Sequence, residues 1–578
     1  MSHPRHDSLR NAPYGVPDGR APSQGAPDGD VDVEKRGSQE LGADGRASHV
    51  ERKTSDGKII LNDMDVYDKL GFSFPWWKKW TIIGVIFLVQ VSMNWNASFY
   101  ANAVELIGKD FGVAQQAARV GQMIFLVAYG FGSELWAPWS EEIGRWPIMQ
   151  LSLLFVNIWQ IPCALAPNFG TIIICRALGG LSSAGGSVTL GMVADMWEPD
   201  DQQFAVAFIV LSSVAGSAFA PIAGGAVGMY LSWHWNFWIQ LIIGGTVQAI
   251  HFFVPETRCS ILAMREARRR RKLGENVWSA KEVDDTKFSM KPVLIVWARP
   301  FLMFVREPIV LCLSLFSGFS DALIFTFLQS YKPVFEQWGF NSVHIGLAFI
   351  PIIIGYIIAY ASFLPWIHRH TQIRKRDPDA LQPESRLYWL LWTAPLETIG
   401  LFGFAWTSLG PPQIHWIAPM IFSCLIAIAN YAIYMATIDY MIAAYGPYSA
   451  SATGGNALAR DFLAGIAAMY SVPMYKYIGT RFSLEWPSFI LGYFAIIFTI
   501  PIYIFYWFGP TIREKSKFAQ TLAVDRKARG ETEVRCGSHQ SGPEEVYLSG
   551  AMSRRSGRSR GASCGGRASS SQRAASQG

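Results

Sequence analysis

Residues 134–146 read "ELWAPWSEEIGRW". Four charged side chains, Glu134, Glu141, Glu142 and Arg145, stand among tryptophans and a proline, and the sequence on both sides is almost unbroken apolar. Charge knotted between two such runs reads as a short connection at a bilayer surface, joining two helices that cross the hydrocarbon. Gly144 permits a tight turn there. Pro138 is expected to end the preceding helix, and Arg145 is placed to pair with Glu141 or with a helix C-terminus. Such a pair can hold two helices in one state and release them in another.

Outward from this knot the same alternation repeats. Of 578 residues, 50% are hydrophobic and only 16% are charged, against about a quarter charged in soluble domains. A helix needs about 20 residues to cross the hydrocarbon layer. Runs of that kind predict spans near 80–102, 116–138, 146–166, 170–195, 203–228, 235–254, 307–330, 343–366, 387–408, 414–440, 449–474 and 486–509. The expectation is an all-α membrane protein with twelve transmembrane helices in two six-helix halves, 76–255 and 307–510. A polar central loop, 256–306, separates them. The tails, 1–75 and 511–578, carry too little apolar surface to offset ordering entropy and are expected to be disordered.

Lysine and arginine placement sets the orientation. "MREARRRRKLG" in the central loop, "HRHTQIRKRD" in 367–386 and "TIREKSK" at 511–517 fall on one side of a twelve-span chain, whereas "APNFG", "YLSWHW" and "SLGPPQIHW" opposite carry no Lys or Arg. Both termini and the central loop are therefore expected in the cytoplasm. Asn96-Ala97-Ser98 fits the glycosylation pattern but falls inside the first span, so Asn96 reads as a helix-lining polar group. The seven cysteines show no metal-ligand spacing, and neither a metal nor a cofactor is expected. No GxxxxGK[ST] loop supports ATP drive, and no HExxH or Gly-x-Ser-x-Gly motif points to an enzyme.

Ser140 to Arg145 have the form Ser-Glu-x-x-Gly-Arg. This resembles the loop 2–3 motif of the major facilitator superfamily, in the variant common among fungal twelve-span drug:proton antiporters. The chain departs from the usual motif at Ala137, Glu141 and Trp146. "RALGGLSSAGG", 176–186, resembles the fourth-helix Arg-x-x-x-Gly motif, which implies a link between Arg176 and proton transfer. "GSAFAPIAGG", 216–225, puts Gly216, Pro221, Gly224 and Gly225 in the fifth span, where small residues allow close packing and proline kinks. It resembles the antiporter motif Gly-Pro-x-x-Gly-Gly, with Ala220 replacing its first glycine, and implies export. Residues 237–258, 306–327 and 431–465 look like the fungal branch that contains polyamine and multidrug exporters.

Polar groups inside spans must face a cavity or one another. Asn94, Asn96, Gln240 and Asn430 are candidates for substrate contact, together with Arg176. Asp321, roughly 20 Å along its helix from Pro308, and Glu397, roughly 16 Å from Arg386, are the first choices for proton-titrating or cation-contacting groups. Glu134 and Asp439, the latter with Arg460, read as gate or latch residues. The expected activity is proton-coupled export of drugs, polyamines or secondary metabolites by alternating access. The expected partners are a small-molecule substrate, protons and lipid, without nucleic acid. A monomer in the plasma membrane is expected, with the vacuolar membrane as the alternative. An organic-acid exporter serving a biosynthetic pathway, and a non-transporting membrane sensor, are the rival readings.

Overall fold

The structure is a computed structural model, and it describes residues 52–53, 58–61, 63–197, 201–283, 290–377, 381–478, 484–516 and 518. Before the central segment the helices are α1 (Trp76–Phe99), α2 (Val104–Asp110), α3 (Gln115–Ala118), α4 (Val120–Glu142), α5 (Arg145–Ala164), α6 (Phe169–Leu181), α7 (Gly185–Ala194), α8 (Gln203–Tyr230) and α9 (Trp235–His251). The central segment holds α10 (Cys259–Lys272), α11 (Ala280–Val283) and α12 (Met290–Arg306). After it come α13 (Pro308–Phe335), α14 (Ser342–Leu347), α15 (Ile350–Arg376), α16 (Tyr388–Thr393), α17 (Pro395–Thr407), α18 (Ile417–Tyr445), α19 (Ser449–Tyr477) and α20 (Trp486–Glu514).

Counting α6–α7 and α16–α17 as two broken rods, six long rods precede the central segment and six follow it among the described residues. Eight of these are long and apolar enough by themselves to cross a membrane. The other four are α4, α9, α16–α17 and α19. Two of those, α4 and α19, carry the ionisable groups Glu134, Arg460 and Asp461 in mid-helix. Apolar side chains all round a rod suit a solvent of lipid on one face and of neighbouring helices on the other. α8 and α13 are the interior rods, with 78% and 83% of their most apolar stretches buried, against 39% for α15 and α20 at the periphery. α13 packs along α19 and α1 along α8. The two halves meet where α4 lies on α19 and where α8 lies on α14 and α15.

Three expectations change. Pro138 does not end its helix, because α4 runs through it to Glu142. Prolines are tolerated in membrane helices where neighbouring groups restore the freed carbonyl's partners. Nor is the central segment a loop. Its strand β3 (Val277–Ser279) pairs in parallel with β2 (Ile59–Leu61), which pairs antiparallel with β1 (Arg52–Lys53). Leu61 and Val66 pack with Ala263, Ala267 and Val277 into a small separate core. The basic run is helical, with Arg269 and Arg270 on Glu266, and Arg268 and Arg271 on Glu282. Part of the N-terminal tail is thus ordered, while the expected disorder of 1–51 and of the tail beyond 518 lies outside the described residues. α12 rests on α4, α13 and α19, with Phe301 stacked on Phe131 of α4.

Candidate functional site

The polar interior is organised by two consecutive residues of α13. Asp321 Oδ1 accepts from Arg460 Nη2 at 3.1 Å, and the Arg460 guanidinium lies 3.4 Å from the ring centre of Tyr434. Ser320 donates its hydroxyl to Glu397 Oε1 and accepts from Asn430 Nδ2 at 3.1 Å. Asn430 Oδ1 in turn accepts from Tyr356 at 3.2 Å. Glu397 is 0% exposed, and its Oε2 has no hydrogen-bond partner. A lone ionised carboxylate in such surroundings is costly without a proton or a cation.

One end of the bundle, where the central segment sits, carries a second network. Gly144 stands at φ +123°, and a Cβ there would collide with the Glu256 carboxylate. That carboxylate caps α5 by accepting from the backbone nitrogens of Arg145, at 3.0 Å, and Trp146, at 3.3 Å. Arg145 Nε donates to Asp195 Oδ2 at 2.9 Å and its Nη1 to Ser140 at 2.6 Å, while Arg258 Nη1 reaches Asp195 Oδ1 at 3.2 Å. Asp195 closes the C-terminal end of α7. Arg145 thus pairs with the side chain of Asp195 at the end of α7, and among the described residues Glu141 is not its partner. Glu141 lines a cavity of about 240 Å³ together with Arg145 and Asp195 from one half, Arg258 from the central segment, and Tyr434 and Gly454 from the other half.

Contacts between the halves occur at both ends. At the central-segment end Asp439 accepts from Gln203 at 2.6 Å and pairs with Arg386, and Tyr431 donates to the Ala207 carbonyl at 3.0 Å. The expected pairing of Asp439 with Arg460 is corrected. Arg460 faces α13, whereas Asp439 sits at the far end of α18 beside Arg386. At the opposite end Gln329 donates to Gln122 at 2.7 Å and accepts from Arg119 at 3.3 Å, and Lys332 pairs with Glu105.

Arg176 stands apart from these acids. Its Nη1 donates to Asn96 Oδ1 at 2.8 Å and its Nε to the Gly121 carbonyl at 3.2 Å, with the Phe125 and Tyr100 ring centres at 4.0 and 4.8 Å. Its Nη2 has no partner. Gln240 donates to the Ser92 carbonyl at 3.3 Å, and Asn94 bonds within its own helix to the Gln90 carbonyl at 3.0 Å. The small residues of α8 serve close packing: a methyl on Gly216 would lie 2.7 Å from the Val91 carbonyl of α1. Gly224 faces Asn102, Gly225 faces Ser342 across the interface between halves, and Pro221 abuts Gly346.

The family profile of the Major Facilitator Superfamily matches residues 86–469. The chain belongs to the major facilitator superfamily. It is 30% identical over 483 residues to the MFS-type transporter paaT of Penicillium rubens, covering 82% of this chain and 86% of that one. It is 30% identical over 461 residues to the "Ascochitine biosynthesis cluster MFS transporter" of Didymella fabae, covering 78% and 87%. The "Efflux pump FUB11" of Gibberella moniliformis is 28% identical, covering 78% and 76%. Among solved structures, a D-xylose-proton symporter superposes with a TM-score of 0.52 at 14% identity, covering 74% of this chain and 97% of that one. That similarity concerns the fold. The protein is a multi-pass membrane transporter of the major facilitator fold.

In this transporter several site residues escaped the sequence reading. Asp195 and Glu256 receive the Arg145 knot, yet lie 50 and 111 positions away from it. The acid–Pro–Asp stretch after α7 and the "PETR" after α9 were the available signals. Arg386, which pairs with Asp439, belongs to the basic 367–386 connection, and Gln203, which donates to it, stands at the start of an expected span. Asp461, half-buried beside Arg460, was hidden by its basic neighbour.

Proposed function

We propose that the transporter is a proton-coupled exporter of small organic molecules that works by alternating access. The observation that carries this reading is the Glu397 carboxyl, buried without a counter-charge and joined through Ser320 to the neighbouring Asp321–Arg460 pair. Protonation of Glu397 would alter the Ser320–Asn430–Tyr356 chain, which ties α13, α15, α17 and α18 together, and so reorganise the second half. The names of two relatives, an efflux pump and a biosynthesis-cluster transporter, support export and a secondary metabolite as cargo. The lysine and arginine bias places the termini and central segment in the cytoplasm, and we assign the protein, as a monomer, to the plasma membrane.

An organic anion is the second reading for the cargo, favoured by Arg176, which has a free Nη2 and no carboxylate partner. Inside-out vesicles loaded with a pH-sensitive dye test both readings. Addition of the cargo is expected to release protons from the lumen, with polyamines, azoles and organic acids screened in parallel. Loss of the dye response in Glu397→Gln, with cargo exchange retained, supports coupling at this group; an unchanged response rejects it.

A further inference from the structure

Two carboxyl groups outside the networks above line the seam between α4 and α19, one to two helical turns apart. Glu134 of α4 is 3% exposed and lies over Gly454 of α19, where a methyl would stand 2.5 Å from its Oε2. Asp461 of α19 lies over Gly130 of α4, where a methyl would stand 3.3 Å from its Cβ. The helices are antiparallel, so each acid sits against the other helix's glycine. Glu134 Oε1 is buried and has no hydrogen-bond partner. Among the described residues neither carboxylate forms an ion pair: the adjacent Arg460 bonds Asp321 and lies over Tyr434, and reaches Asp461 only through space.

Among the described residues the ionisable groups around the pair include Tyr129 on α4, Arg460 on α19, Asp321 on α13 and Tyr434 on α18, with Glu141, Arg145, Asp195 and Arg258 lining the cavity below. α7 brings no ionisable side chain, α6 brings Arg176, engaged with Asn96, and the described side chains of α12 include Arg299, set against Tyr448. Asp321 and Asp461 thus both lie close to the Arg460 guanidinium, Asp321 as its ion pair. Two like charges on one largely buried seam each disfavour the other's ionised form. The 240 Å³ cavity reaches Gly454, directly below Glu134, and opens towards the central-segment end.

We propose that Glu134 and Asp461 form a proton-binding site divided between the two halves. With the α4–α19 seam closed, the pair holds a proton. When the halves part at the central-segment end, water enters along the cavity, the carboxyls separate, and the proton leaves. Each opening of that end therefore discharges a proton, and raising the pH favours opening through repulsion of the two carboxylates. The site rests on the proton-coupled reading above and adds to it the group that senses which end is open.

The experiment is a distance measurement between spin labels on full-length transporter in proteoliposomes, a readout independent of cargo. Labels are attached through Ile143→Cys, at the end of α4, and Ala450→Cys, at the start of α19, with the native cysteines replaced by serine. In the parent the distance is expected to lengthen as pH rises. Glu134→Gln and Asp461→Asn should each keep the short distance at every pH. If a neutral variant does not fold, Glu134→Asp and Asp461→Glu take its place and should retain the lengthening at a displaced pH. A parent distance insensitive to pH, a neutral variant that lengthens like the parent, or conservative variants with an unmoved midpoint would overturn the site. The Glu397→Gln dye assay judges proton coupling separately, so the two ideas can fail independently.

Discussion

Arg460 on α19 holds Asp321 on α13 at 3.1 Å, and Ser320, the residue before Asp321, donates its hydroxyl to Glu397 on α17. α13 therefore carries a compensated acid and, one residue before it, the serine that holds an uncompensated acid of α17. The arrangement separates structural charge from charge free to change.

Asp321→Asn is expected to leave a buried guanidinium without its counter-charge, because the pair's side chains are only 8% and 10% exposed. Losing one partner of a buried pair costs about 3–5 kcal/mol. Detergent-solubilised variants should show a clear fall in unfolding temperature. Asp321→Asn combined with Arg460→Gln should recover most of that loss and remain inactive in transport. A single variant as stable as the parent would show that the pair does not brace the bundle.

Glu397→Gln should behave in the opposite way. The amide oxygen can still accept from Ser320, so folding is preserved, while the group can no longer titrate. Gradient-driven uptake into inside-out vesicles is expected to fall about tenfold or more, with cargo exchange at equal pH little changed. Equal losses in both assays would make Glu397 a cargo contact instead of a coupling group.

Most rods were legible because a run of apolar residues long enough for a bilayer has few other uses. α4 and α19 are less apolar for the reason that makes them interesting: Glu134, Arg460 and Asp461 lie in mid-helix. Which acid meets Arg460 was not legible, since Asp321 and Asp439 differ in the neighbour their helices bring, a tertiary property. The helical central segment escaped because its charges satisfy one another, with Glu266 and Glu282 each holding two arginines, so a polar composition gave no sign of order. Pro138 misled because the rule it invokes applies where water is the competing solvent.

Gly144→Ala is expected to loosen the α4–α5 turn twice over. At φ +123° and ψ 157° the backbone lies in a region essentially reserved for glycine, which costs another residue about 1–3 kcal/mol, and the new methyl would displace Glu256 from the α5 N-terminus. Hydrogen exchange should quicken at the amides of Arg145 and Trp146, which Glu256 now caps. Unchanged exchange there would mean that Glu256 is not what holds the start of α5.

Acid should release the central segment within a defined window. The hydrogen bond from Arg269 holds the Glu266 carboxyl down to about 2 from its ordinary 4.5, against an opposing effect of burial and with further help from Arg270. A carboxyl lowered on folding stabilises the folded form above its ordinary value and loses that contribution as pH falls towards the folded one. Protection of the α10 amides, corrected for intrinsic exchange, should thus be flat from neutral pH down to about 5 and decline below it. Glu266→Gln removes the titrating group, so the decline in that window should shrink while protection at neutral pH starts lower. A parent profile that stays flat under acid would show that the arginine run is held by packing against β3 and not by this carboxylate.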